Sequence, residues 1–192
     1  MGISIADIRR QAVTQAQEYI QMKPVYLDTE TTGLNKNDEI VEIAIIDADG
    51  SLLLDELVKP KKMIPQDAYR IHGIDNAMVA TARSWPLLWP LVREILINRP
   101  IGIYNVEFDL RLMRQSFDAY NLPWKDTLNT FDILLLFARF YGEWDSYRRS
   151  FRFQSLENAA KYLGLPVSSL HRAKDDAQLT RAVLHAIAET TD

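Results

Sequence analysis

Pro24-Val25-Tyr26-Leu27-Asp28-Thr29-Glu30-Thr31-Thr32-Gly33-Leu34 is an apolar strand that runs straight into two carboxylates one residue apart. Side chains alternate along a strand with period two, so Asp28 and Glu30 leave from the same face. Two like charges held that close repel each other and cost stability unless a cation sits between them. Gly33 then supplies a residue that turns freely and lets backbone approach a ligand. Taken alone, an Asp-x-Glu pair also describes a strand end whose acids simply face water. The rest of the chain has to decide.

On the N-terminal side, residues 3 to 22 read as a helix. Ser4 and Asp7 fit a capping box, and Ile5, Ile8, Ala12 and Tyr19 fall near one face. Lys23-Pro24 closes it, because the residue before proline disfavours helical backbone. On the C-terminal side, Ile40 to Ile46 reads as a buried second strand. The Ala48-Asp49-Gly50-Ser51 turn leads into a third strand, Leu52 to Val58. Beyond this antiparallel meander come a short helix at 66–71, a helix from Trp85 to about Asn98, and a short buried strand from Pro100 to Tyr104. Helix Asn105–Tyr120, strand Thr130–Ile133 and helices Leu134–Phe140, Leu156–Leu163 and Lys174–Ala188 follow. A meander followed by strands alternating with helices predicts an α/β fold with a mixed sheet flanked by helices.

Two later stretches can be matched to the acidic pair. Asn105-Val106-Glu107-Phe108-Asp109 follows a buried strand and places Asp109 in the first turn of a helix, at the sheet edge where ligands of α/β folds collect. His171-Arg172-Ala173-Lys174-Asp175-Asp176 leads into the last helix. A helix alone does not align His171 with Asp176, but a loop position for His171 brings both to one centre.

Composition bounds the rest. The 192 residues fit one domain of ordinary soluble composition, and the absence of cysteine removes disulfides, thiolate metal sites and thiol nucleophiles. No apolar run reaches the length of a membrane span and the N-terminus lacks a secretion signal, so no membrane association and a cytoplasmic location are expected. The formal net charge of -4 means that a polyanion has to be met by local patches or through metal ions.

The segments Asp28-Thr29-Glu30-Thr31-Thr32-Gly33-Leu34, Asn105-Val106-Glu107-Phe108-Asp109 and His171 with Asp176 resemble the three motifs of the DEDDh 3'-5' exonucleases, the family of bacterial proofreading subunits. Lys62-Met63-Ile64-Pro65 and Ile71-His72-Gly73-Ile74 resemble its segment between the first two motifs. The likeness implies a ribonuclease H-like fold with a five-stranded sheet, an exonuclease domain at 24–192 and an N-terminal helical extension at 1–23. It implies that Asp28, Glu30, Asp109 and Asp176 hold two Mg²⁺ or Mn²⁺ ions, for which a carboxylate-only ligand set is suited. His171 is then the general base for the attacking water. Thr31, Gly33 and Leu34 fall where the family holds the 3'-terminal nucleotide, with Leu34 wedged against the base. His72, Asn105 and Phe108 fall near the same pocket. The expected partners are 3' ends of single-stranded DNA or RNA. Neither a polymerase partner nor a homodimer can be read from the residues.

This chain departs from the family pattern at Tyr104 and in the segment 141–153, where five aromatics alternate with Arg148, Arg149 and Arg152. That segment reads either as a strand-binding element or as a solubilising surface loop. Two other functions stay open at this level: a non-catalytic nucleic-acid-binding module on the same fold, and a hydrolase of short oligonucleotides.

Overall fold

A computed structural model of the chain describes residues 4–168 and 171–191. Helix α1 (Ile5–Gln21) comes first, followed by β1 (Val25–Thr31), β2 (Ile40–Ile46) and β3 (Leu52–Leu57). Helices α2 (Gln66–His72) and α3 (Trp85–Leu96) lead to β4 (Pro100–Ile103). Then come α4 (Val106–Asp118), β5 (Asn129–Asp132) and α5 (Ile133–Tyr141). A small hairpin, β6 (Trp144–Asp145) with β7 (Ser150–Phe151), precedes α6 (Leu156–Tyr162) and α7 (Ala173–Ala188).

The main sheet has the order β3-β2-β1-β4-β5. The first three strands pair antiparallel, while β4 joins β1 and β5 joins β4 in parallel. This is the mixed five-stranded sheet expected from the sequence. As an inner strand covered on both faces, β1 is apolar through Val25, Tyr26 and Leu27 without alternation. Val25 and Leu27 pack with Trp85, Leu88, Leu112 and Met113 from α3 and α4. Tyr26 belongs to the opposite layer, with Ala12, Phe137 and Leu184 from α1, α5 and α7. Continuing the alternation puts Asp28 and Glu30 on the α7 face and Thr29 on the α4 face. The register of β1 therefore aims the acids.

Several sequence expectations shift. The expected helix start at residue 3 lies outside the described residues. Ser4 caps α1, with the Asp7 N–H donating to Ser4 Oγ at 3.1 Å and the Ser4 N–H to Asp7 Oδ2 at 3.2 Å. Ile5, expected on the packed face, is exposed because it lies at the margin of the layer that Ala12 and Ala16 fill. His72, one residue past the expected helix at 66–71, is the last residue of α2, which Gly73 ends at φ +71°. Segment 141–153, read as a strand-binding element or a surface loop, carries the β6–β7 hairpin; strands of two residues are too short to show a period. No helix among the described residues is long and apolar enough to cross a membrane.

Candidate active site

The parallel ladder between β1 and β4 ends at Leu27 and Ile103. β1 runs on through Thr31, held to β2 along its other edge, while Tyr104 and Asn105 turn away. This opens a crevice at the C-terminal end of the sheet, the usual ligand position in α/β folds. Asn105 makes the turn in left-handed backbone, φ 79° and ψ 68°, which asparagine tolerates better than most side chains. Asp132 fixes the departure of α4 by accepting the Val106 N–H at 2.9 Å, and it also caps α5 through Leu135. Asp109, only 2% exposed in the first turn of α4, then faces back to β1 and accepts the Thr29 hydroxyl at 2.7 Å.

The third segment is anchored by a residue that the sequence reading passed over. Glu42 of β2 lies opposite Glu30 in register and is 1% exposed. Arg172 Nε donates to both of its oxygens, at 3.0 and 3.1 Å, and Arg172 Nη2 donates to Oε1. The Ala173 N–H donates to Glu42 Oε2 at 2.9 Å, so one carboxylate satisfies a guanidinium and caps α7. Fixed in this way, α7 delivers Asp176 to β1. His171 lies on the loop just before the helix, and its Nδ1 is 2.8 Å from Asp176 Oδ2. One ligand atom each from Glu30, His171 and Asp176 lies within 4.8 Å of the other two. Asp175 faces solvent.

Four carboxylates meet here. Burial raises the Asp28 pKa well above its ordinary value, and repulsion from Asp109, Glu30 and Asp176 adds to it. Glu30 is pushed to about 8, first by burial and then by Asp176 and Glu42. Burial takes Asp109 to about 7 against the opposing Thr29 hydrogen bond, and burial raises Asp176 too. The nearby Arg172 is already spent on Glu42. Crowded, buried oxygen donors without a compensating cation are the donor set that a hard divalent ion satisfies. The residues fit such an ion.

Beside this centre lies a hollow of about 500 Å³ whose lining includes Thr31, Gly33, Leu34, His72 and Phe108. Leu34 stands 75% exposed at its rim. Asn105 is placed elsewhere, in a second hollow with Glu107 and Phe153. His72 is buried, and its ring is committed to backbone: Nδ1 accepts the Ile74 N–H at 3.0 Å, and Nε2 pairs with the Thr31 carbonyl at 3.2 Å. Asp38 holds the Leu34 loop from behind, accepting the Asn35 N–H at 2.6 Å, the Thr32 hydroxyl at 3.0 Å and Lys62. A Cβ on Gly33 would come 2.7 Å from Asp38 Oδ2, so only glycine fits there.

A family model described as Exonuclease (RNase_T) matches residues 25–184. The chain belongs to the RNase_T exonuclease family. It is 34% identical to an uncharacterized exonuclease, CP81, of Escherichia phage 186, over 91% of this chain and 93% of the phage protein. It is 32% identical to a PolC-type DNA polymerase III of Thermotoga maritima over 86% of this chain, spanning only 12% of the polymerase. Among solved structures, Exonuclease X in complex with 5' overhanging duplex DNA superposes with a TM-score of 0.63 and 28% identity, covering 85% of this chain and 89% of that one. The architecture is that of the ribonuclease H-like exonucleases.

Within this exonuclease fold, Glu42 and Asp132 are the site-building residues that motif reading missed. Glu42 did carry a signal, as the one charge in the otherwise apolar Ile40–Ile46 strand. A buried strand does not keep a lone acid without a partner. Asp132 ends a four-residue strand and had no comparable mark.

Proposed function

We propose that the protein is a metal-dependent 3'-5' exonuclease of the DEDDh type, releasing nucleoside 5'-monophosphates from 3' ends of single-stranded nucleic acid in the cytoplasm. The observation that carries this reading is the meeting of four carboxylates from three separate segments, Glu30 and Asp109 buried and Asp28 and Asp176 half-buried, all pushed upward by desolvation while the nearby Arg172 guanidinium is engaged by Glu42. Family membership supports nuclease chemistry. The DNA held by Exonuclease X supports a nucleic-acid end as substrate, since a 5' overhang leaves a recessed 3' terminus.

In this reading Asp28, Glu30, Asp109 and Asp176 would hold Mg²⁺ or Mn²⁺. A bound pair of such ions lowers the pKa of water and stabilises the attacking and leaving oxygens of an in-line displacement. Thr29 fixes the Asp109 rotamer, and the Glu42 clamp fixes Asp176. His171 takes the proton of the attacking water: with its Nδ1–H donated to Asp176, Nε2 keeps a lone pair. Leu34 wedges against the terminal base while Thr31, Gly33 and Phe108 line its pocket. His72 holds that pocket by fixing the Thr31 carbonyl, and Asn105, which lines the second hollow, makes the turn into α4, the helix that carries Phe108. The exonuclease domain runs from 24 to 192, with residues 1–23 as an extension.

The test is digestion of a 3'-labelled single strand with Mg²⁺ or Mn²⁺, with the products identified. Labelled 5'-mononucleotide from the wild type, lost by about 10³-fold or more in Asp28→Ala, is expected. His171→Ala lowers turnover by about 10²- to 10⁴-fold with metal affinity nearly intact. A strand left whole by the wild type and by Asp28→Ala alike ends the proposal. Cleavage confined to dinucleotides redirects it to short oligonucleotides.

A further inference from the structure

The β6–β7 hairpin is the most exposed aromatic and cationic feature of the molecule that the site leaves unused. Trp144 and Phe151 pair edge-to-face at 5.2 Å and stiffen its two short strands. Asp145 caps the turn by accepting the Tyr147 and Arg148 N–H groups at 2.9 and 3.0 Å. The tip presents Tyr147, 96% exposed, beside Arg148 and Arg149. Among the described residues no side-chain hydrogen bond or ion pair is found for either guanidinium, though the Arg148 backbone N–H, and then its charge, help hold the Asp145 carboxyl low. Several cations around the site are engaged: Arg172 by Glu42, Lys62 by Asp38, Arg111 by Gln115 and Lys61 by the Ala119 carbonyl.

The hairpin is rooted beside the catalytic segments. Its return strand runs into Phe153, which lines a hollow of about 350 Å³ with Asn105 and Glu107, one helical turn from Asp109. The next residue, Gln154, accepts the Tyr104 hydroxyl at 2.9 Å. At about 3.3 Å per residue, Arg149 lies within roughly 13 Å of Phe153 and Tyr147 within roughly 20 Å. We propose that the hairpin is a second nucleic-acid contact, in which Arg148 and Arg149 take phosphates and Tyr147 stacks on a base of the strand upstream of its 3' end. The proposal rests on the exonuclease reading for the direction of the strand. The charge balance favours it: on a chain of net charge -4, with an acidic centre that repels phosphate, exposed arginines on a projecting hairpin give a polyanion a place to bind.

The test measures binding without relying on cleavage. Fluorescence anisotropy in Ca²⁺ buffer follows wild type, the Arg148→Ala/Arg149→Ala double variant and Tyr147→Ala on a single-stranded oligothymidylate of about 16 nucleotides. The same proteins are then run on a labelled dinucleotide with Mn²⁺. All three residues are exposed, and thermal melts check that the variants fold. The double variant is expected to weaken long-strand binding by about tenfold and to flatten the slope of log affinity against log salt by about 1.4, two phosphates' worth. Tyr147→Ala weakens it by about fivefold or more. Dinucleotide turnover should stay at the wild-type level. Unchanged long-strand affinity and salt slope overturn the proposal, as does a wild type that does not bind the strand. Equal losses on long strand and dinucleotide also overturn it. Wild-type failure on the dinucleotide and on longer strands alike, with hairpin-dependent binding intact, counts against the exonuclease reading and leaves the second contact standing.

Discussion

Two sets of acids lie at the same edge of the sheet and live in opposite electrostatic worlds. Asp38, Glu39 and Glu42 are buried, yet each is satisfied: Asp38 by Lys62, Asn35 and Thr32, Glu39 by the Lys61 and Lys62 amides, and Glu42 by Arg172 and Ala173. Burial pushes Asp38 up, but its hydrogen bonds outweigh that and leave it below the ordinary carboxylate range. Asp28, Glu30, Asp109 and Asp176 face mainly one another, and burial drives all four upward. On the proposed function, the difference separates structural acids from acids that would hold a metal ion. The first set spends its charge inside the protein and fixes the loops; the second, on that proposal, would spend it on a bound cation.

Substitution in each set should therefore move stability in opposite directions. Glu42→Ala strands a partly buried guanidinium and uncaps α7. It should cost about 2–3 kcal/mol, near the low end for buried pairs because Arg172 reaches solvent, or roughly 4–12 °C in Tm. Asp28→Asn removes a repelling charge and should raise the Tm of the metal-free protein even as it abolishes activity. Melts in chelator check both. A lower Tm for Asp28→Asn would erase the distinction.

A smaller effect sharpens the same contrast. Glu30 and Asp109 titrate near 8 and 7 in the folded chain, against ordinary values of 4.5 and 3.8. The native state thus holds protons that the unfolded chain has already released, so stability falls as pH rises through the raised values. His72 and His185, held low by burial, act the other way, but only below about pH 6.5. Between about pH 6.5 and 8.5 the Tm in chelator should fall by a few degrees, and Mn²⁺ should restore more of it at the alkaline end. A flat profile with no gain from metal would contradict the crowding of these acids.

How much was legible beforehand follows from the range over which each signal acts. Period-two alternation is local, so the shared face of Asp28 and Glu30 could be read directly, as could the buried β2 run. The position of His171 off the helix was conditional on a loop, and the structure supplies that loop. Glu42 with Arg172 spans 130 residues, and no local pattern announces such a pair. The left-handed turn at Asn105 and the double cap by Asp132 depend on where β4 and β5 stop, which four-residue strands do not mark in advance. The motif residues were legible; the scaffold that aims them came from tertiary contacts.

The most direct test of the central claim is a calorimetric Mn²⁺ titration of the wild type and Asp28→Asn near pH 7, repeated in buffers of different ionisation enthalpy. Saturable binding with proton release by the wild type, lost or strongly weakened in Asp28→Asn, is the expected result. Identical heats from the two proteins, or binding with no proton released, would mean that these four carboxylates are not a cation cradle.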